Sequence, residues 1–321
     1  MYAVAITAAG GGHTGRAVAL AERLYGKFDL LFLVSRGDRW SRSKLEKYGQ
    51  IIEVPRIRSP NESLAKAAAR LLPALLSALR RVPRELCVFV SMGAGLSIPA
   101  AVAAWLKGVR VYNVESIVRF VRPSLAARVL RPFSDVTVLH WEEQLHIHPS
   151  GRVYGPIYER PKYPVRDEGY VLVTGGSYGF KALFDSVSNL GLENVVLQTG
   201  QVDPEPYRRR HPGWRVFRFS PDFGRWLAGA RVVVTHFGQT AVDAALTYRK
   251  PTVIVYNPEW RTAAGLEDAR ILARKLNAVL VENPIPAAIR VAIEEAVRRK
   301  PPSYINGGDV LAREMLEICE A

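Results

Sequence analysis

Short apolar runs alternate with helix-like segments along almost the whole chain. Runs rich in Val, Ile and Leu fall at 3–7, 30–34, 87–91, 110–114 and 136–140. They resume at 170–174, 194–198, 215–219, 231–235, 252–256 and 278–281. These runs are near-continuously apolar, the pattern of strands buried on both faces of a parallel sheet. The helical segments between them supply the layers that cover such a sheet. The stretch "GPIYERPKYPVRDEG", 155–169, interrupts the rhythm with proline and charge. It divides the 321 residues into 1–160 and 161–321, each of ordinary domain size. The predicted fold class is therefore α/β: two doubly wound, Rossmann-like domains facing an interdomain cleft. The terminal stretch "GDVLAREMLEICEA" reads as a helix able to pack back on the first domain.

Both halves open alike. "VAITAAGGGH" and "YVLVTGGSYG" each run from a strand into a glycine turn and then a helix. Glycine lets backbone approach a ligand, and a helix N-terminus offers N–H groups and positive potential to anions. Gly10, Gly11 and Gly12 suit that use, as do Gly175, Gly176 and Ser177. Neither turn has the GxGxxG spacing of a dinucleotide site or the lysine of a P-loop. A third candidate is "VVVTHFGQTAVDAALTYRKP", 232–251. There His236 ends a strand, and Gly238, Gln239 and Thr240 open a helix suited to a diphosphate. Asp243, one turn in, could accept from ribose hydroxyls; alternatively, Thr240 only caps the helix and Asp243 favours its positive end.

Composition narrows the function classes. The net charge of +14 suits phosphorylated substrates or an anionic membrane surface. No aromatic-basic signature of nucleic-acid binding is present. No apolar run is long enough to span a bilayer, and no signal peptide is visible. The expected location is cytoplasmic, peripheral at the membrane's cytoplasmic face. Cys87 and Cys319 are the only cysteines, and each is expected to be a small buried apolar residue.

At this point the motifs resemble a family. "LVTGGSYG" and "FSPDFGRWLAGARVVVTHFGQT" resemble the donor domain of GT-B glycosyltransferases. They are similar to the bacterial lipid I GlcNAc-transferase and the catalytic subunit of the two-subunit GlcNAc-transferase of N-glycan assembly. "GGGHTG" and "YNVESIVRFVRPSLAARVLRPFSDVTVLHWEEQ", 112–144, resemble that system's membrane-anchored acceptor subunit. The resemblance implies a natural fusion of the two subunits. It implies inverting transfer of GlcNAc from UDP-GlcNAc to a GlcNAc-diphosphate-polyprenol (dolichyl) acceptor, with no cofactor and no metal. The absence of Asp-x-Asp from the sequence agrees with that. A capsule or exopolysaccharide transferase using UDP-glucuronate or UDP-galactose, and a sugar-nucleotide 2-epimerase, are the alternatives.

Departures from the family pattern are specific. Arg16 stands where members often carry Glu. Ala244, not Asp243, aligns with the usual donor-helix Glu. "NPEWRTAAGLEDAR" replaces a Gln-rich donor segment.

Inverting transfer needs a base for the acceptor hydroxyl and stabilisation of the leaving UDP. His13 and Glu115 are the candidate bases; Glu115 could instead pair with Arg119 one turn on. Gly175, Gly176, Ser177, His236, Gly238, Gln239, Thr240 and Asp243 would hold the donor. Gly11, Gly12, Thr14, Arg119 and Arg122 would hold the acceptor, the arginines at its diphosphate. His146 and His148 read as ordinary surface. In "LAKAAARLLPALLSALRR", 64–81, Leu64, Ala68, Leu71, Leu72, Leu75, Leu76 and Leu79 share one helical face. That face packs either on the sheet or against an anionic membrane, and the basic segment with Trp40 is a second membrane candidate. A membrane-protein partner is the other possible means of attachment.

Overall fold

The computed structural model describes residues 3–55, 57, 64–259 and 264–320. They form two units, one of residues 1–159 with 305–321, the other of residues 160–304. The sequence boundary places 305–321 with the second domain; in the structure this stretch belongs to the first.

The first unit has seven strands: β1 (Ala3–Ala8), β2 (Asp29–Ser35), β3 (Gln50–Val54), β4 (Leu86–Ser91), β5 (Arg110–Val114), β6 (Val136–Leu139) and β7 (Arg152–Val153). All pair in parallel, in the order β3-β2-β1-β4-β5-β6-β7. Its helices are α1 (Gly11–Leu24), α2 (Arg39–Leu45), α3 (Leu64–Arg81), α4 (Ser97–Leu106) and α5 (Leu125–Leu130). Alternate residues of one strand feed opposite cores. Val4 and Ile6 face α1, while Ala5 packs in the layer under α3 and α4. Both faces are covered, which explains why the strands read as unbroken apolar runs. β3 and β7 escape the sequence pattern. β3 is half-exposed and β7 is two exposed residues, so neither has the apolar continuity of a buried strand.

The second unit holds β8 (Val171–Thr174), β9 (Val195–Gln198), β10 (Arg215–Phe217), β11 (Val232–His236), β12 (Thr252–Val255) and β13 (Val279–Val281). These six also pair in parallel, in the order β10-β9-β8-β11-β12-β13. The intervening helices are α6 (Lys181–Ser188), α7 (Glu205–Arg210), α8 (Phe223–Gly229), α9 (Gln239–Val242), α10 (Leu266–Leu276) and α11 (Pro286–Ala296). Both sheets therefore reverse direction next to their first strand, between β1 and β4 and between β8 and β11. Such switch points open a crevice beyond the carboxyl ends of the strands.

The last helix, α12 (Gly307–Glu320), lies on α1. Ala17, Val18, Ala19, Leu20 and Ala21 of α1 are all fully buried, and three of the five are alanine. Small side chains let one helix be covered by the sheet on one side and by α12 on the other. Arg23, itself buried, donates to Asp309 at 2.8 Å, and the hydroxyls of Tyr112 and Tyr154 each donate to Glu314 at 2.6 Å. Cys87 on β4 and Cys319 on α12 form a disulfide, contrary to the expectation of two separate buried thiols. Their separation of 232 residues hides the pairing from sequence reading; only the return of α12 brings the two sulfurs together.

α3 divides its leucines. Ala74, Leu75, Ala78 and Leu79 pack into the core, while Leu71, Leu72 and Leu76 are exposed at 36%, 65% and 50%. The helix therefore packs on the sheet with one part of its apolar face and leaves another part exposed; the side chains of Leu64 and Ala68 lie outside the described residues. α5 adds Leu125 and Val129, exposed one turn apart, on the same side of the sheet, with Val121 just before it. No helix among the described residues is long and apolar enough to cross a membrane.

Candidate active site

In the first unit, the β1–α1 turn meets the loop after β4 at the switch point. Gly10 is the N-cap of α1 with φ 56°, and Gly11 follows at φ 48°, both left-handed conformations that favour glycine. The Gly10 N–H donates to Ser41 Oγ at 3.0 Å. Ser41 donates in turn to Asp38 at 2.6 Å and accepts from the Thr14 hydroxyl at 2.6 Å. Thr14 is 1% exposed, so it braces the turn from behind and does not reach toward an acceptor.

His13 projects from the first turn of α1. Its Nδ1 lies 2.7 Å from the Met92 carbonyl, a distance that requires the proton on Nδ1 and leaves Nε2 as the lone-pair nitrogen. Arg16 Nη2 donates to the same carbonyl at 3.2 Å and passes 3.0 Å from Nδ1. Met92 N–H donates to Thr7 Oγ1 on β1, so the loop that holds His13 is tied across the switch point. The ring lies over Gly93, where a Cβ would sit 3.2 Å from His13 Cε1. Burial and then the Arg16 charge push His13 down to about 4; the Met92 bond and Glu115 pull less strongly the other way. His13 is therefore neutral near pH 7 and able to accept a proton.

The second unit also places a histidine against glycine turns at its switch point. His236 ends β11, and its ring stands between two glycine turns. A Cβ on Gly176 would lie 3.0 Å from His236 Nε2, and one on Gly238 would lie 3.5 Å from Cε1. Gly176 has φ +72°, and its N–H donates to Thr174 Oγ1 at 3.1 Å. The rest of this turn is interlocked. A Cβ on Gly175 would fall 2.4 Å from the Phe180 nitrogen, and one on Gly179 would fall 2.3 Å from the Thr199 carbonyl. Burial pushes His236 down to about 4, so this ring too is neutral at pH 7.

Gly238 caps α9 with no side chain on the first N–H groups, and Gln239 and Thr240 form the first turn, half-buried. Gln239 Nε2 donates to Asp243 Oδ1 at 3.0 Å. Asp243 begins a π turn, Asp243–Thr247, closed by Tyr248 N–H donating to the Asp243 carbonyl. Such turns recur at functional sites. Ala244 is fully buried, so Asp243 is the carboxylate presented at this turn.

Comparison with known proteins matches a different family to each unit. Residues 4–157 match the family described as oligosaccharide biosynthesis protein Alg14 like, and residues 170–293 match the glycosyltransferase family 28 C-terminal domain. The chain joins an Alg14-like domain to a family 28 glycosyltransferase domain. It is 26% identical over 160 residues to UDP-N-acetylglucosamine transferase subunit ALG14 of Candida albicans, covering 45% of this chain and 73% of that relative. It is 25% identical over 353 aligned residues to a bacterial transferase from Anaeromyxobacter sp., covering 96% and 90%. That relative is named UDP-N-acetylglucosamine–N-acetylmuramyl-(pentapeptide) pyrophosphoryl-undecaprenol N-acetylglucosamine transferase. Among solved structures, MurG of Acinetobacter baumannii superimposes with a TM-score of 0.67 at 19% identity, covering 99% of this chain and all of that one. The fold is that of the GT-B glycosyltransferases.

Within the Alg14-like domain, the structure separates the two candidate bases. Glu115 is fully buried. Its Oε1 accepts from Ser116 N–H; its Oε2 accepts from Ser124 N–H at 3.0 Å and lies 2.7 Å from His148 Nε2. Both oxygens are engaged within the fold, one of them with His148. Glu115 thus holds the 116–124 loop, and of the two candidate bases His13 is the one with a ring nitrogen, Nε2, that no hydrogen bond among the described residues engages. His148, read from sequence as surface, is 5% exposed and belongs to this network.

Other side chains of the 140–148 segment strap the same loop. His140 Nε2 donates to the Glu115 carbonyl, Gln144 Nε2 to the Ser116 and Arg119 carbonyls, and Trp141 Nε1 to the Ile117 carbonyl. Sequence reading missed His140, Trp141, Gln144 and His148 as loop supports. Their spacing within "HWEEQLHIH" was the available signal. Arg122 is exposed on this loop and Arg119 is half-buried. Gly11 is exposed and Gly12 half-buried at the α1 start, while Ser177 is half-buried in the donor-type turn. In the family 28 domain, Phe219 stands 50% exposed just past β10, an aromatic that motif reading passed over. The segment from 260 to 263, part of the expected departure near the donor sugar, lies outside the described residues.

Proposed function

We infer that this chain is an inverting glycosyltransferase that moves GlcNAc from UDP-GlcNAc to a GlcNAc-diphosphate-polyprenol. The observation that carries the reading is the pairing of an Alg14-like domain with a family 28 domain in one chain, each with a histidine at its switch point. Both relatives described above are named as GlcNAc transferases or a subunit of one, and the bacterial relative's name specifies a lipid-diphosphate acceptor.

Chemically, His13 Nε2 takes the proton from the acceptor hydroxyl as it attacks C1 of the donor sugar. The sugar–phosphate bond breaks, and UDP leaves with the bond's electron pair. The diphosphate charge falls on backbone N–H groups of the 175–177 turn and of the α9 start, with His236 beside both. Asp243 accepts from the ribose hydroxyls. No metal is required in this scheme, since the helix end and backbone dipoles carry the leaving-group charge. Arg119 and Arg122 lie on the strapped loop as partners for the acceptor diphosphate. The exposed Leu71, Leu72 and Leu76, with Leu125 and Val129 and nearby arginines, suit peripheral contact with an anionic membrane. High salt is expected to release the protein from anionic vesicles.

The test is radiolabel transfer from UDP-GlcNAc, with UDP-glucuronate and UDP-galactose in parallel, to synthetic GlcNAc-diphosphate-polyprenol, with and without EDTA. Transfer from UDP-GlcNAc alone, unchanged by EDTA, supports the whole reading. Transfer only from another donor moves the protein to polysaccharide assembly. Loss of transfer in EDTA, restored by a divalent ion, overturns the metal-free scheme.

A further inference from the structure

We propose that Arg16 is a positioning residue that keeps His13 neutral in the Nδ1–H tautomer selected by the Met92 carbonyl, leaving Nε2 as the base. The inference deepens the reading of His13 as the proton acceptor and rests on it. Arg16 lies three residues after His13 on α1, and only 3% of it is exposed. A guanidinium is charged at all working pH, so its placement there is costly unless the charge does something.

Three distances define what it does. His13 Nδ1 to the Met92 carbonyl is 2.7 Å, Arg16 Nη2 to that carbonyl is 3.2 Å, and Arg16 Nη2 to His13 Nδ1 is 3.0 Å. Two donors share one carbonyl oxygen, which has two lone pairs to offer. The two nitrogens cannot bond each other while both donate. If the Nδ1 proton were lost to Nε2, the Met92 carbonyl would face a lone pair and the ring would lose its anchor. If the ring were protonated at both nitrogens, a second positive charge would stand beside Arg16. The neutral Nδ1–H form satisfies the Met92 carbonyl and keeps a second charge away from Arg16, which donates to the same carbonyl.

The charged groups that reach His13 are Arg16 on its own helix and Glu115 beyond β5. The loop after β4 contributes the Met92 carbonyl and Gly93. Glu115 is taken up by Ser116, Ser124 and His148. Arg16 is therefore the neighbour that opposes a charged ring, in line with the depressed His13 value near 4. A proton taken by Nε2 is not stored there; the same repulsion passes it on to solvent.

The experiment uses the whole protein labelled with 15N-histidine, with His13 signals assigned by H13A, alongside the pH–rate profile of transfer. The wild type is expected to show the Nδ1–H tautomer and to titrate near 4. Arg16→Gln is expected to raise the His13 midpoint by one pH unit or more, since a like charge at this range moves a pKa by about 1–3. A midpoint near 6 lowers the rate at pH 5 roughly tenfold relative to pH 8. Arg16→Lys, which keeps the charge, is expected to leave the midpoint close to the wild type.

An Nε2–H tautomer in the wild type overturns the proposal even if Arg16→Gln does not fold. So does an unmoved midpoint in a folded Arg16→Gln. Full transfer by H13A overturns the reading of His13 as base instead, and leaves the tautomer result standing.

Discussion

The two units solve one geometric problem from opposite sides. In the Alg14-like domain, the histidine at the switch point comes from the β1 side and leans across to the loop after β4. In the family 28 domain, it comes from the end of β11 and leans back on the β8 turn. The glycines beneath them differ accordingly. Gly10 has open space around it, the nearest contact of a Cβ being 3.9 Å, so its glycine answers to a positive φ. Gly175 leaves no room for a Cβ, so its glycine answers to packing, while Gly179 answers both to packing and to a φ of +83°. One sequence signature, a strand running into glycines, therefore has two physical causes.

The comparison is broken most directly by deleting each histidine. H13A is expected to lower kcat by about 10²–10⁴, the usual yield of a positioned base, with little change in melting temperature. H236A is expected to act mainly through KM for UDP-GlcNAc, by about tenfold to a hundredfold, as one charge-assisted hydrogen bond is worth about 1.5–3 kcal/mol. Equal kcat losses in both would erase the distinction drawn between them.

Glu115 sharpens the contrast inside the first unit. E115A is expected to cost about 3–5 kcal/mol of stability, since it leaves His148 and two loop N–H groups without their carboxylate. Urea unfolding measures this. An E115A protein of wild-type stability but no activity would return the base role to Glu115.

Acid pH provides the next test. His13 and His236 lie near 4 and His140 near 3 in the fold, all below the value of about 6.5 in an unfolded chain. Below that unfolded value the open chain binds protons that the fold refuses, so stability falls as pH drops from about 6.5 toward 4. The fully buried His140 alone accounts for roughly 3 kcal/mol over that interval. A flat urea midpoint between pH 7 and 4.5 would contradict the buried neutral rings.

The smallest effect concerns the glycines. G175A is expected to destabilise the second unit by about 1–3 kcal/mol through backbone overlap. G10A is expected to cost the first unit about 1–2 kcal/mol through its left-handed φ. Similar losses with equal effects on UDP binding would argue against two separate causes.

Most of the architecture was legible because it rests on local signals. Eleven apolar runs read from the sequence became strands, since burial on both faces leaves an unbroken apolar record. The half-exposed β3 and the two-residue β7 left none. The strand–glycine–helix turns beside which His13 and His236 stand were legible, because glycine between a strand and a helix has few uses. Glu115 misled because a carboxylate after a strand reads the same whether it faces substrate or His148. The opposition was decided by residues 33 positions apart, at a range where sequence periodicity carries no information. Thr14 misled for a similar reason, its hydroxyl being claimed by Ser41 from another helix. The Cys87–Cys319 bond lay furthest beyond reach.

That bond changes what the backbone is as an object. The chain leaves the first unit after Glu159 and returns to it at Ile305, and the disulfide closes everything from Cys87 to Cys319 into a hoop. The whole family 28 domain is threaded on that hoop. A protease cut anywhere within 160–304 opens the loop without releasing a fragment. On a gel, the nicked protein keeps its full mass until a reductant is added, and then parts into two pieces.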